Sequence, residues 1–224
     1  MPRLRLWMVA ALITFALGVL IFVIFRRPSQ VSQPSSHETR LIIPKASWEP
    51  IFFKSINSVS NLTAQPELRK VSLREDEREA RVWWGFGLSP LEGVSLGYRA
   101  GQWRAIHVKA DDYYEPTKAT LEELKPPKSG WNTTWQRLVD AGIASLVDAS
   151  ELDCGEVGLD GLSVVIETNI GRTYRTYMYP NPTLEKCSQA QQVTKITEIM
   201  IGEFELTHSE PTPPPNKRLE RTRH

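Results

Sequence analysis

The feature that most constrains this chain is an apolar run of 20 residues without a charge, from Leu6 to Phe25. An α-helix of this length spans about 30 Å, which is the thickness of the hydrocarbon core of a bilayer. Thr14 is the only polar residue in the run, and its hydroxyl can bond back to its own helix. The run predicts a single N-terminal transmembrane helix that anchors the protein in a membrane through residues 6–25.

A cleaved signal peptide is the alternative for this run. Its apolar region is usually about 7 to 15 residues long and ends at a small-residue cleavage site. The run here is longer and ends in Phe25-Arg26-Arg27, which favours an uncleaved anchor. Basic residues nearly balance across the run, so the positive-inside rule does not decide the orientation. We expect an extracytoplasmic domain, and a cytoplasmic-facing regulatory domain is the alternative.

Charge and composition divide the chain into unequal parts, although 27 basic and 26 acidic residues leave it nearly neutral. Residues 1–27 are the anchor with its basic flanks, and residues 28–60 are a polar tether and an irregular lead-in. Residues 61–206 are expected to form the globular domain, and residues 207–224 a disordered, Pro-rich basic tail. Between residues 28 and 206 there are 24 acidic and 19 basic residues, so nucleic-acid binding is not expected.

Hydrophobic periodicity in the body predicts three hairpins and two helices. The strand pairs are Lys70–Arg74 with Ala80–Phe86, Val94–Arg99 with Gln102–Lys109, and Leu162–Thr168 with Arg172–Tyr179. One helix is predicted from Gly130, capped by Ser129, and another over Ala190–Leu206. Hairpins that precede each helix indicate an α+β fold, with an antiparallel sheet built of hairpins and two helices packed on one face.

The two cysteines, Cys154 and Cys187, flank the third predicted hairpin. If Asn169 pairs with Arg172, the numbers of paired residues add to 341, and the two cysteine numbers add to 341 as well. A bond between the thiols would close a loop of about 34 residues and contribute roughly 3 to 4 kcal/mol in the chain-entropy model. The prediction is a disulfide in an oxidising compartment, with two unrelated thiols as the alternative.

Motifs for catalysis, cofactors or metals are absent from the sequence. It contains no HExxH, C-x-x-C, P-loop, G-x-G-x-x-G or G-x-S-x-G pattern. His107, Asp111 and Asp112 lack the spacing of a known metal site, and the acidic stretch from Asp148 to Asp160 lacks the order of a calcium loop. No catalytic residue, cofactor or metal ligand is therefore assigned, and a non-enzyme is favoured.

The strand around Tyr177 provides the most distinctive candidate binding surface. Arg175, Tyr177 and Tyr179 share one face of a strand, where an arginine between aromatic rings can stack on a sugar or a peptide. Aromatic packing across the sheet is the alternative. The function we expect is a binding or structural module that meets a protein or an envelope polymer.

An extracytoplasmic hydrolase that uses scattered carboxylates is the second hypothesis. It requires Asp148, Asp153, Asp160 or Glu167 to converge with Arg175 in one concave site.

Three segments carry a resemblance to known proteins. They are WNTTWQRL from Trp131 to Leu138, LDGLS from Leu159 to Ser163, and YRTYMYPNP from Tyr174 to Pro182. These segments resemble motifs of a group of uncharacterised bacterial proteins that are exported or tethered to membranes. The resemblance implies an α+β domain of unknown function and brings no catalytic residue with it.

Overall fold

The described residues form an α+β domain, as the sequence predicted. They include a seven-stranded, mostly antiparallel sheet and three α-helices, one helix more than predicted. The computed structural model describes residues 39–44, 50, 52–86, 89–153, 162–184 and 187–207. The predicted anchor, and the predicted tail beyond Thr207, lie outside these residues. No helix within the described ranges is long and apolar enough to cross a membrane.

The elements follow one another in a simple order along the chain. The strands are β1 (Arg40–Ile42), β2 (Arg78–Phe86), β3 (Glu92–Arg99), β4 (Gln102–Ala110), β5 (Ala119–Glu123), β6 (Ser163–Ile170) and β7 (Thr173–Pro180). The helices are α1 (Phe52–Leu62), α2 (Trp131–Asp140) and α3 (Ser188–Glu203). The sheet order is β1-β7-β6-β2-β3-β4-β5, in which only the β1–β7 pair of the described strands is parallel.

Two of the three predicted hairpins are confirmed. The β3–β4 hairpin turns through Ala100 and Gly101, whose φ angles are 48° and 80°. The β6–β7 hairpin turns through Gly171 and Arg172, with φ angles of 52° and 67°. Positive φ at both central residues matches the right-handed twist of the flanking strands.

The first predicted hairpin is wrong, because residues 70–74 do not form a strand. Lys70 ends a short 3-10 helix, and β2 pairs instead with β3 and β6 in the middle of the sheet. The side-chain amide of Asn169 donates to the carbonyl of Leu68 at 3.3 Å and to that of Val71 at 2.7 Å. These bonds hold the segment against the sheet without adding it to the ladder.

The register of the third hairpin differs from the predicted one by two positions. Ile170 pairs with Thr173, so the numbers of paired residues add to 343 and not to 341. The symmetry that placed Cys154 opposite Cys187 is therefore wrong. Cys154 lies outside the described residues and Cys187 is not a free thiol, so the disulfide stays a prediction that no longer depends on the register.

Helices α2 and α3 pack on the same face of the sheet, as predicted. Their apolar residues form one core with the side chains that β2, β3 and β6 direct to that face, including Trp135, Leu138, Val193, Ile196, Met200, Val82, Leu96 and Ile166. The predicted cap of α2 is wrong, because Gly130 precedes the helix and no side chain caps it. The Ser129 hydroxyl instead lies 3.1 Å from that of Thr134.

Helix α1 covers the opposite face and was not predicted. Phe52, Phe53, Ile56 and Val59 are buried there against residues of β2, β6 and β7. The expectation of an irregular lead-in is wrong for this segment, because residues 40–42 and 52–62 form β1 and α1.

Candidate functional site

A cleft of about 700 Å³ opens on the face that α1 covers only in part. Its floor is β3, which directs Gly93, Ser95 and Gly97 to this face. The ring of Trp83 fills the space above Gly93, since a Cβ there would lie 2.3 Å from a ring carbon. A Cβ at Gly97 would meet its nearest neighbour at 3.4 Å. Because α1 ends at Leu62, the sheet beyond it stays open above Ser95 and Gly97.

Beside this floor, β2 contributes a buried ion pair to the cleft. Glu79 is 6% exposed and Arg81 is 2% exposed. The Nε of Arg81 donates to Oε1 of Glu79 at 2.7 Å, and the Nη1 of Arg81 donates to the carbonyl of Pro66 at 3.1 Å. Glu79 also accepts from the hydroxyl of Ser95 at 3.1 Å and pairs with Arg99.

Electrostatics keep this pair charged. Burial raises the pKa of Glu79, but the nearby charges of Arg81 and Arg99 outweigh it and hold the pKa below its ordinary value of 4.5. Burial lowers the pKa of Arg81, but the charges of Glu79 and Glu167 outweigh it and raise the pKa above its ordinary value. The carboxylate and the guanidinium are therefore both ionised at neutral pH.

A second buried carboxylate, Glu167 of β6, lies on the same face under α1 and is 2% exposed. It accepts hydrogen bonds of 2.8 Å from the indole N–H of Trp83 and from the hydroxyl of Tyr174. Burial, together with the charge of Glu167, raises the pKa of Tyr174 well above 10. Tyr174 therefore acts as a hydrogen-bond donor and stays neutral.

The rim of the cleft is accessible to solvent. The side chain of Arg99 is 36% exposed, that of Arg104 is 62% exposed, and that of Glu123 is 65% exposed. Arg104 binds Glu123 through two hydrogen bonds of 3.2 Å each. An exposed ion pair of this kind is worth about 0 to 1 kcal/mol, so it can open at little cost. Gln65, Gln102 and Leu121 complete this part of the rim.

The predicted binding surface lies elsewhere, inside the core with α2 and α3. Tyr177 is 0% exposed and Tyr179 is 1% exposed. Their hydroxyls donate to carbonyls of the loop at residues 143–147 at 3.0 and 2.9 Å, and Arg175 donates to the same loop at 3.1 Å. These three side chains hold the loop against the sheet. They therefore pack within the protein, which was the alternative to a binding surface.

Among the described residues, Glu167 does not converge with Asp148 and Arg175. Glu167 and Arg175 project from opposite faces of the sheet, because Glu167 pairs with the neighbour of Arg175. Asp148 accepts backbone N–H groups, including that of Met178 at 2.7 Å, and so has a structural role. Asp160 lies outside the described residues.

The described ranges hold no cluster of three or more His, Cys, Asp or Glu side chains that could bind a metal ion. His107 is 3% exposed and stacks on Trp84 with ring centres 6.3 Å apart, on the face away from the cleft. Asp111 bonds to the hydroxyl of Thr117, which lowers its pKa to about 2.

Sequence reasoning missed the cleft, although two signals mark it. In β3, small residues alternate at Gly93, Ser95 and Gly97, which leaves one face of a central strand bare. In β2, Glu79 and Arg81 alternate with buried apolar residues, so their charges must be paired inside the protein. Neither signal identifies residues 63–66, which follow α1 and line the cleft on that side.

No protein-family model matches this sequence, and no curated protein matches it. The resemblance of the three motifs therefore stays a prediction.

Proposed function

We propose that the protein is a membrane-anchored, non-enzymatic binding module that presents the cleft to a ligand at the extracytoplasmic face. The observation that carries the proposal is an open polar cleft whose five ionisable side chains are all paired within the protein. They are Glu79, Arg81, Arg99, Arg104 and Glu123.

The chemistry of the cleft supports binding over catalysis. A general base works best when its pKa lies near the working pH, whereas the pKa of Glu79 is lowered. The Ser95 hydroxyl donates to Glu79, and no histidine is among the described residues that line the cleft. The cleft thus offers hydrogen-bond donors and acceptors without an activated nucleophile.

The membrane part of the proposal rests on residues 6–25 and is tested by topology. A reporter that works only outside the cytoplasm should be active when it is fused after residue 206 of the full-length chain. A fusion that is active only in the cytoplasm would contradict the proposed orientation and favour a cytoplasmic-facing regulatory domain.

The cleft is tested by photo-crosslinking in cells. A benzoylphenylalanine in place of Leu121, which is 44% exposed at the rim, should form a discrete adduct with the ligand. The matched control is Val139, which is 39% exposed on α2 and lies outside the cleft. The same adducts from both positions would show that the cleft is not the binding site.

A cleft-filling variant makes this test specific. In Gly97→Val the added side chain enters the cleft from its floor and meets only ordinary van der Waals contacts at its first atom. The variant should lose the Leu121 adduct, whereas Thr120→Val, on the other face of β5, should keep it. An adduct that persists in a folded Gly97→Val protein would contradict the proposal.

A further inference from the structure

We infer that the ligand of the cleft is a peptide that carries a carboxylate, held between Arg99 and Arg104. This inference rests on the proposed function of the cleft and adds the chemical class of its ligand. The positions of these two arginines, the pairing of their charges and the uncharged lining carry it.

The open side of the cleft presents more positive than negative side chains to solvent. Glu79, Arg81 and Glu167 are buried, whereas Arg99, Arg104 and Glu123 reach solvent. Arg99 pairs with the buried Glu79 but is 36% exposed, so part of its side chain stays open to a ligand.

The strand register places the two exposed arginines around a gap. Arg104 pairs with Gly97 across β3 and β4, and Arg99 pairs with Gln102. Arg99 and Arg104 are therefore diagonal neighbours on one face, at a backbone separation of about 7–8 Å. Gly97 adds no side chain between them. An anion placed between the two guanidinium groups is attracted by both of them.

Arg104 is already arranged to hold a carboxylate. Its Nε and one terminal nitrogen each bind one oxygen of Glu123, which is the two-pronged geometry that arginine offers to carboxylates. Both side chains are mostly exposed. A carboxylate of a ligand can therefore take the place of Glu123, and Arg99 supplies a second cation that Glu123 does not contact.

The rest of the lining suits a peptide. Two exposed arginines beside one exposed glutamate match a single carboxylate better than a phosphate dianion. Gln65 and Gln102 provide amide donors and acceptors, which match the amide groups of a peptide backbone, and Ile106 and Leu121 provide apolar contacts for a neighbouring side chain.

The test follows the arginine side chains directly, by NMR of the Nε–H groups in the full-length protein in detergent micelles. The probe is acetyl-Ala-Glu-Ala-amide, and acetyl-Ala-Gln-Ala-amide is its neutral match. The acidic peptide should shift the signals of Arg99 and Arg104 saturably and leave that of Arg175 unchanged, while the neutral peptide binds at least about tenfold more weakly.

Variants separate binding from folding. Arg99→Gln and Arg104→Gln should each weaken the acidic peptide about tenfold or more, which is the effect of one lost charge-assisted hydrogen bond. Arg104 is 62% exposed, so its variant is expected to fold. Lys109→Gln removes a cation from the opposite face of β4 and should leave binding unchanged.

Every other outcome overturns the inference. Equal binding of the two peptides would show that the ligand needs no carboxylate, although the cleft would remain a binding site. Shifts caused only by methyl glucuronide or by inorganic phosphate would show that the ligand is not a peptide. If no probe shifts Arg99 or Arg104, the inference fails, and the crosslinking at Leu121 then decides independently whether the cleft binds a ligand.

Discussion

Replacing Arg81 by methionine tests whether the buried ion pair supports the fold. Methionine keeps a long, flexible, apolar side chain but removes the guanidinium. Glu79 would then lose its hydrogen bond of 2.7 Å, and the carbonyl of Pro66 would lose one of 3.1 Å. The remaining partners of Glu79 would be Arg99 and Ser95.

The size of the effect follows from burial. Glu79 is 6% exposed and Arg81 is 2% exposed, so water cannot replace the lost charge. Removing one partner of a buried pair costs about 3 to 5 kcal/mol. For a domain of this size, each kcal/mol lowers the melting temperature by about 2–4 °C, which predicts a drop of about 6 to 20 °C.

Urea unfolding of the full-length protein, followed by tryptophan fluorescence, measures the change. The double variant Glu79→Leu with Arg81→Met removes both charges and should recover much of the loss, because apolar residues often replace a buried pair at little cost. If Arg81→Met and the double variant both lie within about 1 kcal/mol of wild type, the argument from burial is refuted.

The pH dependence of Arg81→Met gives a second check. In the wild type the pKa of Glu79 is below 4.5, so its stabilisation is complete above that pH and is lost as the pH falls through the folded-state pKa. Without Arg81, burial is opposed only by Arg99 and by the hydrogen bond from Ser95, so the pKa of Glu79 rises. The deficit of the variant should therefore be largest at neutral pH and shrink towards pH 4.5; a deficit independent of pH would contradict this account.

Three further predictions concern other parts of the fold. Tyr177→Phe leaves a buried loop carbonyl without its donor, so it should cost about 1 to 3 kcal/mol in urea unfolding, whereas Tyr114→Phe at a 44% exposed position should be neutral. Burial raises the pKa of Glu203, but hydrogen bonds and a nearby arginine outweigh it and lower the pKa below 4.5. The wild type should therefore lose stability as the pH falls below 4.5, and Glu203→Gln should not show this loss. Alkylation of the unreduced, exported protein should label neither Cys154 nor Cys187, and labelling of both would contradict the predicted disulfide.

Local patterns predicted much of the fold because they depend on near neighbours. The turn Ala100-Gly101 follows from residue type, and alternation predicted the strands on both sides of it and of Gly171, although the loop predicted at residues 169–171 is displaced from the observed turn Gly171-Arg172. The apolar spacing from Trp131 and over residues 190–206 predicted α2 and α3. Helix α1 was not predicted because Pro44 and Pro50, which precede it, usually interrupt regular structure. Pro50 instead lies where the helix begins, and its carbonyl accepts from the N–H of Phe53.

The candidate site could not be predicted in the same way, because its parts are distant in the sequence. Ser95 and Gly97 form a floor only because β2 lies beside β3 and because α1 ends short of them. The tyrosines of β7 appeared suited to a surface, yet the loop at residues 143–147 covers them.

The sequence by itself determined the α+β class, two hairpins, two of the helices and the 20-residue apolar run that predicts an anchor. The tertiary structure decided the order of the strands, the face on which each charge lies and the cleft between them. The physical reason is range: turns and periodicity depend on residues a few positions apart, whereas a paired buried charge such as Glu79 depends on partners that only folding brings together.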